Sequence, residues 1–137
     1  MHPTPARSAA PFIEHINLTV RDPERSAQLM TDLFGWYIRW SGPSALGGRS
    51  IHVGDDRCYV ALYTRDGADT PDYVFRKGNP LNHIGIQVED IDEVERRVIA
   101  VGLTPFMHGD YEPGRRFYFL DPDGIEFEVV SYDLAVN

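Results

Sequence analysis

Two histidines and one glutamate stand where they could bind a divalent metal ion: His15, His83 and Glu128. Each lies in a stretch where polar and apolar side chains alternate, which is typical of a β-strand with one buried face. In all three stretches the named residue falls on the polar face. Two histidines and a carboxylate form the ligand set of sites that leave open positions on an octahedral metal. The alternation alone leaves two other interpretations open, namely hydrogen-bonded packing histidines and a solvated carboxylate.

The two histidines begin a sequence pattern that occurs twice. His15–Val20 and His83–Val88 both read His-Ile-x-aliphatic-x-Val, 68 residues apart from position 15 to position 83. An aspartate and, after a helical stretch, a glycine follow each strand: Asp22 and Gly35, then Asp90 and Gly102. An internal repeat of this kind indicates two copies of one supersecondary unit.

Both helical stretches carry capping signals. Asp22 with Pro23 begins the first helix, and Asp90 begins the second, with Glu93 at the capping-box position. Gly102 suits the left-handed conformation that ends a helix. Apolar residues recur on one face of each helix: Ala27, Met30, Leu33 and Phe34 in the first, and Ile91, Val94, Val98 and Val101 in the second.

Three strand-like segments follow each helix. They are predicted at 36–40, 49–53 and 58–63 in the first half, and at 104–107, 115–120 and 125–131 in the second. The modules run from about 12 to 64 and from about 81 to 132, with a polar linker at 65–80. A half of about 65 residues is marginally stable alone, so one domain over residues 1–137 is expected. The predicted fold is α+β, with two βαβββ modules forming a curved mixed sheet around a metal-binding cavity.

Composition excludes several classes of partner. The net charge of −8 argues against nucleic acid and against an anionic membrane surface. No apolar run reaches the roughly 18 residues of a membrane span, and residues 1–10 lack the apolar core of a signal peptide. The one cysteine, Cys58, cannot form an internal disulfide. These features predict a cytoplasmic protein with a small-molecule partner.

The stretch before Glu128 carries a more specific signal. Asp121-Pro122-Asp123-Gly124 predicts a tight turn between two strands. With the repeat and this turn, the chain from about 12 to 132 resembles the vicinal oxygen chelate superfamily, which includes glyoxalases, extradiol dioxygenases, fosfomycin-resistance thiol transferases and bleomycin-binding proteins. Paired βαβββ modules are the fold of that superfamily. The resemblance implies a divalent metal ion at His15, His83 and Glu128, with Fe(II) or Mn(II) favoured and nickel or zinc possible.

The first module lacks the carboxylate that many glyoxalases have at its end. Aligning 58–63 on 125–130 puts Ala61 opposite Glu128, so the resemblance implies three protein ligands, as in the dioxygenases. Four aromatic residues of this module could either line a pocket or pack in the core: Trp36, Trp40, Tyr59 and Tyr63.

The pattern Tyr-x-x-Asp-Pro-x-Gly-x-x-x-Glu, from Tyr118 to Glu128, is similar to the signature of extradiol dioxygenases. That similarity implies that Tyr118 hydrogen-bonds the bound substrate and that His108 is an active-site histidine. Arg116 (or its neighbour Arg115) could pair with a substrate carboxylate, and Asn17, on the polar face of the first strand, is a further substrate-binding candidate. The expected activity is extradiol-type chemistry on a small catechol-type substrate.

Other functions of the superfamily remain open. A glyoxalase-like lyase or isomerase would use the same metal without oxygen. The fosfomycin transferases share Phe117–Gly124, but their phosphonate-binding positions read His108, Glu112 and Arg116 here, and an acidic residue would repel a phosphonate. A bleomycin-type protein would sequester a drug without catalysis, although such proteins usually lack the ligand histidines. The resemblance also implies a homodimer.

Overall fold

Residues 10–45, 47–65, 75–111 and 114–132 are described by the structure, a computed structural model of the chain. Residues 1–9, and residues 66–74 of the predicted linker, lie outside that description. The elements are β1 (His15–Thr19), α1 (Pro23–Phe34), β2 (Tyr37–Pro43), β3 (Arg49–Gly54), β4 (Tyr59–Thr64), β5 (Ile84–Gln87), α2 (Ile91–Ala100), β6 (Phe106–Tyr111), β7 (Gly114–Leu120) and β8 (Glu126–Tyr132).

Each module forms its own four-stranded mixed sheet. The strand order is β1-β4-β3-β2 in the first sheet and β5-β8-β7-β6 in the second. In each sheet the first strand pairs parallel with the last, and the other pairs are antiparallel. The predicted α+β class and the two βαβββ modules are confirmed, and the described strands form two open sheets.

The helices begin where the capping signals predict. The side chain of Asp22 accepts from the backbone N–H of Arg25, and that of Asp90 accepts from the N–H of Glu93. Gly35 ends α1 with φ +73°, a left-handed conformation that glycine adopts without strain. Among the described residues, neither helix is long and apolar enough to cross a membrane.

Two strands differ from the prediction because a bulge interrupts their alternation. The pairing of β6 with β7 shifts register between Phe106 and Gly109, and Met107 has φ +53°. The strand therefore continues to Tyr111, beyond the predicted end at 107. A similar shift between Ile38 and Trp40 accompanies the extension of β2 to Pro43.

The apolar faces of both helices pack on the sheets and on each other in one continuous core. Val101, predicted to lie on the apolar face of α2, is 39% exposed instead, because the helix ends at Ala100. A polar contact also links the modules. The backbone N–H and the guanidinium of Arg21 both donate to Oδ1 of Asp123, whose side chain is fully buried. The two halves therefore share apolar contacts and a buried ion pair.

The strand register defines which residues of the two modules are equivalent. Ala61 on β4 pairs with Asn17 and with His52. Glu128 on β8 occupies the same place in the second sheet, between Gly85 and Tyr118. Ala61 and Glu128 therefore occupy equivalent positions in the two sheets, and so do His52 and Tyr118.

Candidate metal centre

Glu128 lies in the middle of β8, between two strand neighbours that point into the core, Phe127 and Val129. Its side chain points to the other face of the sheet and is only 12% exposed. One oxygen, Oε2, accepts a hydrogen bond from Nη1 of Arg116 at 2.9 Å. The other, Oε1, lies 3.1 Å from Nε2 of His83. The structure thus brings together two of the predicted metal ligands and the predicted substrate-binding arginine.

Both ring nitrogens of His83 have a polar neighbour. Nδ1 lies 2.7 Å from Oδ1 of Asn82, and Nε2 faces the carboxylate of Glu128. A carboxylate can only accept, so Nε2 can make a favourable contact with it either by donating a hydrogen or by sharing a metal ion with it.

The spacing of these two atoms fits a metal ion. Ligand atoms on adjacent corners of an octahedron, each about 2.1 Å from the metal, lie about 3 Å apart. Nε2 of His83 and Oε1 of Glu128 are separated by 3.1 Å. Both are donors that first-row divalent metals accept. The residues present therefore fit a divalent metal ion, which would be held by His83 and Glu128 within the second module.

His15 occupies the equivalent place on β1 but has different neighbours. Its Nδ1 lies 2.8 Å from Oε1 of Glu14, and its ring stacks on that of Tyr59 with the centroids 4.8 Å apart. Both His15 and His83 line a groove of about 780 Å³ between the modules. Among the described residues of one chain, no group of three His, Cys, Asp or Glu side chains is placed to hold a metal ion. His15 therefore stands apart from the pair formed by His83 and Glu128.

Tyr118 lies beside His83 and Glu128. It is directly opposite Glu128 in the sheet, and its ring meets that of His83 edge-on at 5.7 Å. Burial raises the pKa of the Tyr118 hydroxyl, and the negative charge of Glu128 raises it further. The phenol therefore stays protonated at neutral pH and can donate a hydrogen bond to an oxygen near His83 and Glu128.

Arg116 is held on the same face by its surroundings. Its side chain is 17% exposed, and its guanidinium carbon lies 5.0 Å from the centre of the Tyr111 ring. Nε of Arg116 is buried without a hydrogen-bond partner among the described residues. The guanidinium places a permanent positive charge beside Glu128, where an anionic group of a substrate could also bind.

The corresponding face of the first sheet carries a row of rings. For two of them, Trp40 and Tyr59, the sequence analysis left open whether they line a pocket or pack in the core. Trp40, His52, Tyr59 and His15 follow one another across the four strands, with centroids 5.0, 4.5 and 4.8 Å apart. Burial, with the nearby His15 and Arg39, lowers the pKa of His52. Asn17, exposed beside Ala61, lies on this same face of the first sheet. Trp36 lies apart and packs against Phe34.

His108 does not lie beside Tyr118. The bulge in β6 turns its ring to the helix side of the sheet, where it stacks against the buried Phe117 at 5.9 Å. There Nε2 of His108 lies 2.6 Å from Oε2 of Glu95 on α2. The strand alternation could not reveal this position because the bulge reverses it. Glu112, the acidic residue of the fosfomycin comparison, lies outside the described residues.

Several residues near the site escaped the sequence analysis. Glu14 and Asn82 contact the two predicted ligand histidines, and their only signal is that each directly precedes one. Glu126 is 4% exposed and pairs with Nζ of Lys77 at 2.8 Å. Lys77 lies in the predicted linker, where no periodic pattern indicates which residues touch the sheet.

The Asp-Pro-Asp-Gly stretch forms the predicted turn between β7 and β8. Oδ1 of Asp121 accepts from the backbone N–H groups of Asp123 and Ile125, each at 2.9 Å. Burial raises the pKa of Asp121 to about 6. Asp123 binds Arg21 of the first module. This part of the dioxygenase-like signature therefore serves the fold, whereas Tyr118 and Glu128 lie beside His83.

Comparison with known proteins agrees with the architecture. The chain is 28% identical over 129 residues to the glutathione transferase FosA of Serratia marcescens, covering 91% of this chain and 84% of FosA. A glyoxylase/bleomycin resistance protein/dioxygenase domain from Frankia sp. EAN1pec superimposes with a TM-score of 0.79 at 23% identity, over 93% of this chain and 96% of that one. FosX from Listeria monocytogenes, in complex with Mn(II) and sulfate, gives a TM-score of 0.67 at 20% identity, over 90% and 93%.

A family model extends the similarity across both modules. It matches residues 12–129, which include both strand histidines and Glu128. The repeat, the two βαβββ sheets and the match to this model lead to one conclusion: the chain belongs to the glyoxalase/bleomycin resistance protein/dioxygenase superfamily.

Proposed function

We propose that the protein is a divalent-metal-dependent enzyme that acts on a small substrate with two adjacent oxygens, of the catechol type. Its metal ligands are His15, His83 and Glu128. The observation that carries the proposal is the contact between Nε2 of His83 and Oε1 of Glu128, which are 3.1 Å apart and are both potential metal-binding atoms. Fe(II) or Mn(II) suits a site of two imidazoles and one carboxylate, and nickel or zinc also fits these donors.

A divalent ion at this site supplies Lewis-acid chemistry, which lowers the pKa of a bound hydroxyl group. The surrounding side chains orient the substrate. The protonated hydroxyl of Tyr118 donates a hydrogen bond to the substrate oxygen that carries negative charge. Arg116 pairs with an anionic substituent, and Asn17 offers a neutral polar contact from the first module. Extradiol-type ring cleavage is the reaction we favour for this arrangement.

We further propose that the third ligand comes from a second copy of the chain. Within one chain His83 and Glu128 are in contact, whereas His15 has Glu14 and Tyr59 as neighbours. His15 is 44% exposed on an outer strand of its sheet, so a second copy can reach it. In a homodimer of this kind, each site would combine the first module of one copy with the second module of the other.

The glutathione transferase FosA of Serratia marcescens and the fosfomycin resistance protein FosX of Listeria monocytogenes support a second candidate function, the modification of a fosfomycin-type substrate. The positive charge of Arg116 beside Glu128 is compatible with a substrate that carries a phosphonate. The two candidates share the metal centre and differ in the substrate.

The first experiment measures the metal content of protein purified without oxygen. We expect about one divalent ion per chain, and its loss in His83→Ala and in Glu128→Gln. Glu95→Gln is the matched control, because this carboxylate lies on the helix side of the second sheet and pairs with His108. Wild-type protein that holds no metal, even after reconstitution, would contradict the proposal.

A substrate panel then separates the candidates. Oxygen uptake with catechols supports ring cleavage, and consumption of fosfomycin with glutathione or with water supports the second function. Rearrangement of a hemithioacetal would instead indicate glyoxalase-type chemistry.

Mixing two inactive variants tests the shared site. His15→Ala retains His83, and His83→Ala retains His15, so a mixed dimer would contain one complete site. We expect metal binding to return when the two variants are refolded together. If each site lies within one chain, the mixture stays without metal.

A further inference from the structure

A continuous row of rings crosses the first sheet from one outer strand to the other. We call these four side chains the ring row: Trp40 on β2, His52 on β3, Tyr59 on β4 and His15 on β1. Neighbouring centroids in the ring row are 5.0, 4.5 and 4.8 Å apart. The row begins at His15, which is the first module's ligand in the metal centre of the proposed function. The ring row is therefore continuous with that metal centre.

The faces that the two sheets present to a ligand differ in charge. By strand register, the neighbours of the ring row on its face of the sheet are uncharged: Asn17, Ser50, Ala61 and Tyr63. The corresponding face of the second sheet carries Glu126, Glu128 and Arg116. A cavity between two such faces is aromatic on one side and charged on the other. It suits a substrate with a polar head and a flat apolar body.

Trp40 is the ring of the row that is open to a further ring. Tyr59, in the middle, is stacked between His15 and His52 at interplanar angles of 11° and 22°, and the guanidinium of Arg39 also contacts it. Trp40 ends the row on an outer strand and is 46% exposed. A half-exposed indole beside packed rings offers a large flat surface on which an aromatic ligand can stack.

The indole of Trp40 is held in place although it is exposed. It lies against Gly42, where an added Cβ would be 2.9 Å from Cζ2 and 3.2 Å from Cη2 of the indole. Its ring also contacts that of His52 at a tilt of 49°. Because the ring is already fixed by these contacts, a ligand that stacks on it needs little ordering of the side chain.

We propose that the ring row binds the body of the substrate, and that this substrate is a catechol-type compound extended by a second aromatic ring. The inference rests on the proposed function, because the metal holds the two substrate oxygens at the His15 end of the row. Trp40 and His15 lie on opposite outer strands, three strand spacings or roughly 14 Å apart. A single catechol ring held near His15 is too short to reach Trp40, and fosfomycin has no aromatic ring. Trp40 therefore determines specificity for two-ring substrates.

The test compares the binding of three catechols by isothermal titration calorimetry. The protein is loaded with Zn²⁺ and kept without oxygen, so that ring cleavage does not occur. 4-Phenylcatechol carries a second aromatic ring, 4-cyclohexylcatechol has similar bulk without an aromatic face, and catechol has neither. We expect the wild type to bind 4-phenylcatechol most tightly. Trp40→Ala should weaken that binding about three- to tenfold and leave the Kd of catechol unchanged.

Three further variants locate the effect in the ring of Trp40. Trp40→Phe keeps an aromatic face and should retain most of the affinity for 4-phenylcatechol. Gly42→Ala keeps the indole but displaces it, so it should weaken the same binding as Trp40→Ala does. Trp36→Phe is the control, because Trp36 packs against Phe34 apart from the ring row. It should leave all three Kd values unchanged.

A ligand that cannot chelate separates this inference from the proposed function. 4-Phenylphenol has two rings and a single oxygen. If its binding depends on Trp40 and not on His83, the ring row is supported as an aromatic site even in a protein that holds no metal. The absence of metal would contradict the proposed function alone.

Three results would overturn the inference. The first is an equal Kd of wild type and Trp40→Ala for 4-phenylcatechol. The second is equal affinity of the wild type for the phenyl and cyclohexyl compounds, which would show that the site selects bulk and not an aromatic ring. The third is a change of oligomeric state in Trp40→Ala, measured by light scattering, which would show that a second copy of the chain covers the indole.

Discussion

Arg116 and Glu128 form an ion pair, with Nη1 and Oε2 2.9 Å apart. The other carboxylate oxygen of Glu128, Oε1, contacts His83. Both side chains are less than one-fifth exposed, at 17% and 12%. Removing the arginine leaves a poorly hydrated carboxylate without its partner. We expect Arg116→Met to lower the free energy of unfolding of the metal-free protein by about 2 kcal/mol.

Arg115→Met is the matched control, because Arg115 pairs with Asp92 where both side chains are about half exposed. Its effect should stay below about 1 kcal/mol. Urea unfolding of the metal-free variants measures both values. Added Mn²⁺ should stabilise Arg116→Met more than wild type, because the metal replaces the missing positive charge beside Glu128. Equal stability of the two variants would show that the pair is solvated.

Tyr118→Phe tests the hydrogen bond to the substrate. Phenylalanine keeps the ring contacts with His83 and Phe106 and removes the hydroxyl alone. We expect kcat to fall about a hundredfold, the usual order for losing one donor to a developing negative charge. Metal content and the midpoint of thermal unfolding should stay at their wild-type values. An unchanged kcat would remove Tyr118 from the mechanism.

His108→Asn tests the position of His108 on the helix side of the sheet. Because its ring contacts Phe117 and Glu95, we expect metal content and kcat within about twofold of wild type. Stability should fall by less than about 1 kcal/mol, since the pair with Glu95 is partly exposed. Steady-state kinetics on the substrate identified by the panel decides the point. A large loss of kcat with normal stability would instead indicate that His108 acts in the active site.

Asp121→Asn tests the buried turn carboxyl through pH. Burial raises its pKa from 3.8 to about 6, so the folded state binds a proton that the unfolded state releases between these pH values. This contribution to stability is present below pH 3.8 and is lost as pH rises through about 6. It amounts to at most about 3 kcal/mol. Asparagine resembles the protonated acid and still accepts from both backbone N–H groups.

Chemical denaturation of both proteins between pH 4 and pH 8 measures this difference. We expect the unfolding free energy of Asp121→Asn, relative to wild type, to increase as pH rises across this interval. Parallel pH curves for the two proteins would show that Asp121 keeps an ordinary pKa.

Sequence patterns predicted the elements well where local chemistry determines them. Asp22 and Asp90 cap the helices as expected, and the alternation in β8 places Glu128 opposite the core. The sequence repeat also aligned Ala61 with Glu128, and the strand register places these two residues at equivalent positions. These features depend on neighbours in the chain or on a single strand, so they can be predicted from the sequence.

The remaining features depend on contacts that no local pattern encodes. The bulge at Met107 reverses the alternation of β6 and carries His108 to the other side of the sheet. The pairing of Lys77 with Glu126 joins an irregular segment to a strand about fifty residues away in the sequence. Whether His15 meets its co-ligands in one chain or across two copies is likewise a question of packing between modules.

The contact between Arg21 and Asp123 limits how far the two halves of this chain can be treated as separate proteins. Asp123 is completely buried, and its charge is neutralised by a residue 102 positions earlier in the chain. A fragment containing only the second half would lack both the counter-ion of that carboxylate and the apolar contacts that the first half supplies, which is unfavourable. Each half is thus a folding partner of the other, and a protein cut in the linker should regain its structure only when both fragments are present.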